Sequence, residues 1–213
     1  AEKMLAEGNA DFVALGRSQL AEPAWAKKAK EGRASDIKPC INCLIGCIDR
    51  GMLSHTPIHC TVNPSLYRFE CKPVEKAETR KQVAVVGAGP AGCEAALTAS
   101  KRGHQVTIYE KRCIGGAMIE ASKPENKANI KRLIHYYEDH IMHDPNITLV
   151  KEEVEYETLV HSGYDAVIIA VGGKTRILNV PGIEKNSVIY ASDYLNGSTA
   201  VTGNTVVVIE HNL

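Results

Sequence analysis

QVAVVGAGPAGCEAALTASKRGHQVTIYEK, residues 82–111, decides how the rest of the chain is read. Gln82 to Val86 is a valine-rich run suited to a buried parallel strand. It runs directly into Gly87-x-Gly89-x-x-Gly92 and an alanine-rich helix. A second strand, Gln105 to Tyr109, ends at Glu110, 23 residues after the first glycine. Strand, glycine loop, helix, strand and acidic terminus together form the dinucleotide-binding fingerprint in the context it requires.

Each residue type in the fingerprint has a physical reason. Gly87 permits the tight turn out of the strand, Gly89 lets backbone N–H groups approach a pyrophosphate, and Gly92 lets the helix pack closely on the sheet. The helix N-terminus offers partial positive charge to the phosphates. Glu110 can accept hydrogen bonds from both ribose hydroxyls, which disfavours a 2′-phosphate there by like-charge repulsion. NAD and FAD both fit. The second glycine pair, Gly115-Gly116, favours FAD, because flavoprotein domains run such backbone along the cofactor.

Upstream, CINCLIGCIDRGMLSHTPIHC places cysteines at 40, 43, 47 and 60, with gaps of two, three and twelve residues. Three thiolates so close in sequence converge on one small object only if the backbone wraps around it, and Gly46 is expected to supply a flexible bend before the third. A four-cysteine zinc and an iron–sulfur cluster both fit the donor set. The spacing favours the cluster, since zinc sites usually pair two short hooks. A disulfide framework would need an oxidising compartment, and no apolar signal segment opens the chain.

The chain has 213 residues, 25 basic and 25 acidic, with 44% hydrophobic content. Zero formal charge without a long run of one sign gives no electrostatic case for nucleic acid or an anionic membrane. The apolar runs are strand-length, short of the roughly 20 residues that span a bilayer. The expectation is a soluble, cytoplasmic protein with small-molecule cofactors as partners and its oligomeric state open. Both ends read as cut: AEKMLAEGNA as the second half of a helix capped by Gly8, and GNTVVVIE as a buried strand reaching its end.

Residues 11–17, DFVALGR, read as a short apolar strand after one helix and before another that starts at Pro23-Ala24-Trp25. Gly16 and Arg17 at the end of such a strand are placed to hold a phosphate. The polar stretch from Glu70 to Lys81 reads as a linker. Pro124 to about His143 has helical periodicity, with His135, His140 and His143 on or near its solvated face. Ile147 to Val150, Tyr164 to Gly173 and Thr205 to Ile209 read as further strands. The middle one is expected to be buried and to pass close to a cofactor at Gly172, and the Val154 region to lie near the adenine end of the nucleotide.

On these motifs the chain resembles the multidomain flavin and iron–sulfur members of the Old Yellow Enzyme-like family, the group of 2,4-dienoyl-CoA reductase, 2-enoate reductase and trimethylamine dehydrogenase. DFVALGR looks like the last strand of that family's (β/α)8 barrel, with Arg17 at the FMN phosphate. CINCLIGC…HCTVNP looks like its [4Fe–4S] loop, which implies Cys40, Cys43, Cys47 and Cys60 as ligands. VVGAGPAG…VTIYEK…GGAMIEASKPENK looks like its FAD domain. The resemblance puts Pro90, Ala91, Lys111, Ala117, Lys127, Val154 and Ala170 near FAD beside the residues argued above.

The implied architecture is α/β: residues 1–38 the end of a TIM-barrel FMN domain, 39–70 the cluster loop, 71–81 a linker, and 82–213 a truncated Rossmann-like FAD-binding domain. The implied activity is NAD(P)H-dependent reduction of an activated C=C bond, with electrons passing from FAD through the cluster to FMN. No catalytic residue is assigned, because a full barrel needs about 250 residues. The chain departs from the family at Ala170-Val171-Gly172, where Ala-Thr-Gly is usual, and at Glu210 to Leu213, where a second glycine motif for NAD(P)H would follow. The isolated chain is therefore expected to bind FAD without turning over NADH.

Two other readings remain. One is an electron-transfer subunit similar to the FAD and iron–sulfur subunit of glutamate synthase, against which the Gly16-Arg17 strand argues. The other is a zinc-stabilised nucleotide-binding module. Cys71, Cys93 and Cys113 are expected to be ordinary small residues, since Cys113 has no near partner for a redox disulfide.

Overall fold

The computed structural model describes residues 2–66 and 74–209. Cys71, part of the 71–81 linker and the departure at Glu210 to Leu213 lie outside the described residues.

A four-stranded parallel sheet positions everything else. β1 (Gln82–Val86), β2 (Gln105–Tyr109), β3 (Ile147–Val150) and β4 (Ala166–Ile169) lie in the order β3-β2-β1-β4. The chain therefore reverses direction across the sheet beside β1, and ligands of such sheets bind at the carboxyl ends of the strands at that switch point. Ala84, Val85, Val106 and Ile108 are fully buried, as their apolar runs require of central strands.

Two helices cover β1 to β3. Pro90–Lys101 starts with proline in its first turn and buries Cys93, Ala96, Ala99 and Ser100. Ala128–Met142 buries Leu133, Ile134, Tyr137 and Ile141, one stripe at helical spacing. The two helices pack on each other and on the sheet.

The amino-terminal part is irregular. Glu2–Ala6 is a short helix, closed by Gly8 at a φ of +68° with the Asn9 N–H donating to the Met4 carbonyl, so the expected glycine cap holds. Further short helices are Arg17–Ala21 and Trp25–Lys30, with Pro23 just ahead of the second helix rather than inside its first turn. Ile45–Leu53 forms a π-helix across the cysteine stretch.

Three strand expectations are corrected. Residues 11–15 form no strand and Phe12 is almost fully exposed; among the described residues no strand lies alongside to take its backbone hydrogen bonds. The same holds for 205–209, where Val207 and Val208 are more than four-fifths exposed. β4 does form, but as an edge strand with all four residues exposed, because no second layer covers it among the described residues. An apolar run specifies a strand only where a partner edge supplies its hydrogen bonds.

Candidate cofactor sites

The glycine loop lies at the carboxyl ends of β1 and β4, at the switch point. Gly87 has a φ of +98°, and a side chain there would collide with the Ala170 carbonyl at the end of β4. A Cβ on Gly92 would strike the Gly87 carbonyl, so the glycine lets the first turn of the helix touch the loop itself. The expected close packing is present, and its partner is backbone. Gly89 caps the helix in extended conformation and faces open space apart from Gly116.

Gly115 ties the second glycine pair to the first, its N–H donating to the Ala88 carbonyl at 2.8 Å. Glu110 is held from two sides: Oε2 accepts from the Ala88 N–H at 2.8 Å and Oε1 from the Arg112 N–H at 2.7 Å. A carboxylate anchored in this way keeps lone pairs free at the loop rim, where ribose hydroxyls would be read. The Arg112 guanidinium in turn pairs with Glu120, a buried carboxylate, at 2.5 Å. Nothing in the sequence pattern flagged Arg112 or Glu120, since both side chains act behind the loop.

Cys93 is fully buried beneath the loop, its thiol donating to the Ala88 carbonyl at 3.2 Å. Burial, reinforced by the Glu94 and Glu110 carboxylates, pushes its thiol up to about 12, so it is an inert packing residue. Cys113 is exposed.

Other expected cofactor residues are spread around the rim. Pro90 and Ala91 open the helix and are exposed; Ala117 caps the short helix Met118–Ala121. The Ala170 N–H donates to the Val86 carbonyl at 2.8 Å, and Gly172 has a φ of +77° in open space. Lys111 is engaged with Glu153 at 2.7 Å. Lys127 is exposed at the start of Ala128–Met142, and Val154 lies between β3 and the helix Tyr156–His161. Among the described residues the Lys111 and Lys127 side chains make no hydrogen bond or ion pair with the glycine loop. The histidines of Ala128–Met142 behave as expected at 135 and 143, which pair along the surface with Glu138 and Asp139. His140 is only about a quarter exposed, stacked on Tyr136 with ring centroids 4.0 Å apart.

The four cysteines line one pocket together with Arg17, Gly46 and His59. All four are free thiols. Gly46 is not a flexible bend as expected: its carbonyl accepts from the His59 N–H at 2.8 Å, and a Cβ would strike the His59 carbonyl. Glycine is needed there so that the segment returning with Cys60 can lie against the π-helix carrying Cys47. Asn42 and Leu44, flanking Cys43, both have φ near +60°, a conformation non-glycine residues adopt at a cost. Polar atoms already reach the sulfurs: the Asn42 N–H lies 3.4 Å from Cys40 Sγ, and Thr61 Oγ1 lies 3.2 Å from Cys43 Sγ.

Among the described residues no three metal-binding side chains close to coordination distance, so the thiols share a pocket without meeting. The donor set fits a thiolate-held group: four free sulfurs, a nearby guanidinium to offset negative charge, and donors aimed at the sulfurs. Gly16 caps the helix Arg17–Ala21, and Arg17 lines this pocket beside the cysteines.

The model of the pyridine nucleotide-disulphide oxidoreductase family matches residues 81–209. The chain belongs to that family. Its resemblance to the multidomain Old Yellow Enzyme-like oxidoreductases also holds over nearly its whole length. It is 40% identical to an NADH oxidase of Thermoanaerobacter brockii over 98% of the chain and 33% of that protein. It is 32% identical to a cinnamate reductase of Clostridium sporogenes over 95% of the chain and 30% of that protein. Among solved structures, a 2-naphthoyl-CoA reductase in complex with 2-naphthoyl-CoA superposes with a TM-score of 0.87 at 33% identity, covering 93% of this chain and 30% of the other. The chain thus spans about a third of the length of the curated relatives it matches. Its fold is the α/β, Rossmann-like flavin-binding one.

Proposed function

We propose that this chain is the electron-relay portion of an NAD(P)H-dependent flavin and iron–sulfur oxidoreductase that reduces activated C=C bonds of the 2-enoate or 2,4-dienoyl-CoA type. In this reading FAD occupies the glycine loop, and Cys40, Cys43, Cys47 and Cys60 hold a [4Fe–4S] cluster. Residues 1–38 belong to the end of an FMN barrel, with Gly16 and Arg17 at its phosphate, and the whole protein works in the cytoplasm.

The observation that carries the reading is the convergence of four free cysteines on one pocket in a segment that packs directly against the dinucleotide unit. Cys40, Ile41 and Cys60 lean on the same apolar core that includes Val83, Val85 and Cys93. When bound, a flavin exchanges two electrons or one, and a cluster one at a time, which is the chemistry such a pairing supplies.

The chain's own residues orient and insulate these groups. Glu110, locked by Ala88 and Arg112, fixes the ribose end of the nucleotide. The Gly87–Gly92 turn presents backbone N–H groups and the helix N-terminus to the pyrophosphate. Among the described residues no helix is long and apolar enough to cross a membrane.

Anaerobic purification with iron, acid-labile sulfide, zinc and flavin assays tests the proposal. The expected result is about four irons and four sulfides per chain with FAD. Zinc without sulfide would overturn the cluster and favour a zinc-stabilised nucleotide module.

A further inference from the structure

The cysteine segment and the dinucleotide unit are joined by a charged contact at Lys38, two residues before Cys40. The Lys38 ammonium pairs with the Glu94 carboxylate on the helix Pro90–Lys101. Tyr137 Oη donates to the same Glu94 Oε1 at 2.8 Å, and the ammonium lies 5.5 and 5.8 Å from the Tyr136 and Tyr137 ring centroids. The Lys38 side chain is 14% exposed and that of Glu94 36%, so water reaches the pair mainly from the Glu94 side.

Both ends of this contact are rigid. On one side, Glu22 Oε2 accepts from the Lys38 N–H at 3.5 Å, and Lys28 Nζ donates to the Asp36 carbonyl at 2.8 Å. On the other, Glu94 follows Cys93, whose N–H and thiol are both bonded to the glycine loop, at Gly89 and Ala88. A displacement of Lys38 is therefore transmitted to Cys40, and a displacement of Glu94 to the loop.

We propose that Lys38 and Glu94 are a positioning pair that holds the four-cysteine pocket in fixed register against the dinucleotide loop. The inference rests on the reading of these two places as redox sites, and it assigns to the pair the separation between them. Electron exchange between two bound groups falls steeply with separation, so the pair governs that rate without touching either group.

The test uses the full chain, reconstituted anaerobically with iron, sulfide and FAD, as wild type, Lys38→Met, Glu94→Gln, the double variant and Lys38→Arg. Amide exchange over residues 38–48 and the rate of electron equilibration after flash reduction of the flavin are measured, with FAD affinity and iron content as controls. Each single loss variant is expected to exchange amides about tenfold faster, because it strands the partner charge. The double variant is expected to be no worse than either single one, and Lys38→Arg to match wild type. Electron equilibration should slow in step while FAD affinity and iron content hold. Unchanged amide exchange in both single variants, additive losses, or equilibration at the wild-type rate would overturn the pair's role. Failure of the wild type to load iron and sulfide defeats the functional reading instead, and the amide exchange, measurable without either cofactor, still decides whether the pair sets the register.

Discussion

The two candidate sites are built by opposite means. The glycine loop is made of backbone on a buried sheet: its shape is set by Gly87 against Ala170, Gly92 against Gly87 and Gly115 against Ala88, and it stands complete without a ligand. The cysteine pocket is made of side chains on irregular backbone, with left-handed Asn42 and Leu44 and a π-helix, and its sulfurs share a cavity without closing on one another. A phosphate site can be preformed because amides and a helix end repel nothing when empty. In the proposed reading a bound metal group displaces the thiol protons and draws the sulfurs together, so that site would be completed by what it binds.

The sharpest way to break this comparison is to remove one sulfur. Cys60→Ser is expected to abolish metal loading, read as iron, sulfide and zinc per chain, while FAD affinity stays at the wild-type value. Loss of FAD together with the metal would mean that the two sites are one cooperative structure and that the contrast is false.

The converse change attacks the preformed site. Gly92→Ala puts a methyl group into the Gly87 carbonyl, with no flexible side chain to move aside. FAD binding, followed by quenching of flavin fluorescence, is expected to weaken by about a hundredfold or more, equivalent to roughly 3 kcal/mol. Metal loading is expected to survive. Near wild-type flavin affinity would show that the loop can shift, and that its rigidity is not what makes the site.

A smaller effect separates backbone from side chain within the loop. Glu110→Gln keeps the shape but removes the charge that the Ala88 and Arg112 N–H groups hold. A charge-assisted hydrogen bond to a ribose hydroxyl contributes about 1.5–3 kcal/mol, so a ten- to hundredfold loss of FAD affinity is expected, with thermal stability also reduced because the Gln amide NH2 faces one of the two backbone donors. Titration calorimetry with FAD checks it, and an unchanged affinity would remove Glu110 from the ribose site.

How well each region could be read from the sequence follows the same contrast. Gly87, Gly89, Gly92 and Glu110 were legible because a backbone site needs particular residue types at fixed spacing, and the sheet order around them follows from the same pattern. The cysteines were legible as a set, but the reason for Gly46 was not, since it depends on His59 arriving from thirteen residues away. Lys38, Glu94, Arg112 and Glu120 were invisible because tertiary contacts, not local pattern, give them partners. The strands expected at 11–17 and 205–209 failed for a related reason: an apolar run supplies buried surface, and pairing needs an edge that local sequence does not contain.

The smallest predicted effect concerns the amino-terminal support of the cysteine segment. Burial alone would raise the Glu22 carboxyl, but hydrogen bonds from Lys28, Ala24 and Lys38, together with the Lys28 charge, hold it below the ordinary glutamate range. A carboxyl lowered on folding stabilises the fold above its unfolded value, and that contribution is lost as the pH falls through the folded one. As the pH falls from about 5 through the lowered folded value, the wild type is therefore expected to lose protection across residues 22–40. Glu22→Gln should start from the weakened level at pH 7 and stay flat over the same interval, as read by amide exchange. The glycine loop makes no use of Glu22, so its protection is expected to be the same in both proteins throughout. A parallel acid loss in the variant would assign the effect to other carboxylates, and a loss that spread to the loop would mean that the supported region and the preformed one unfold as a single unit.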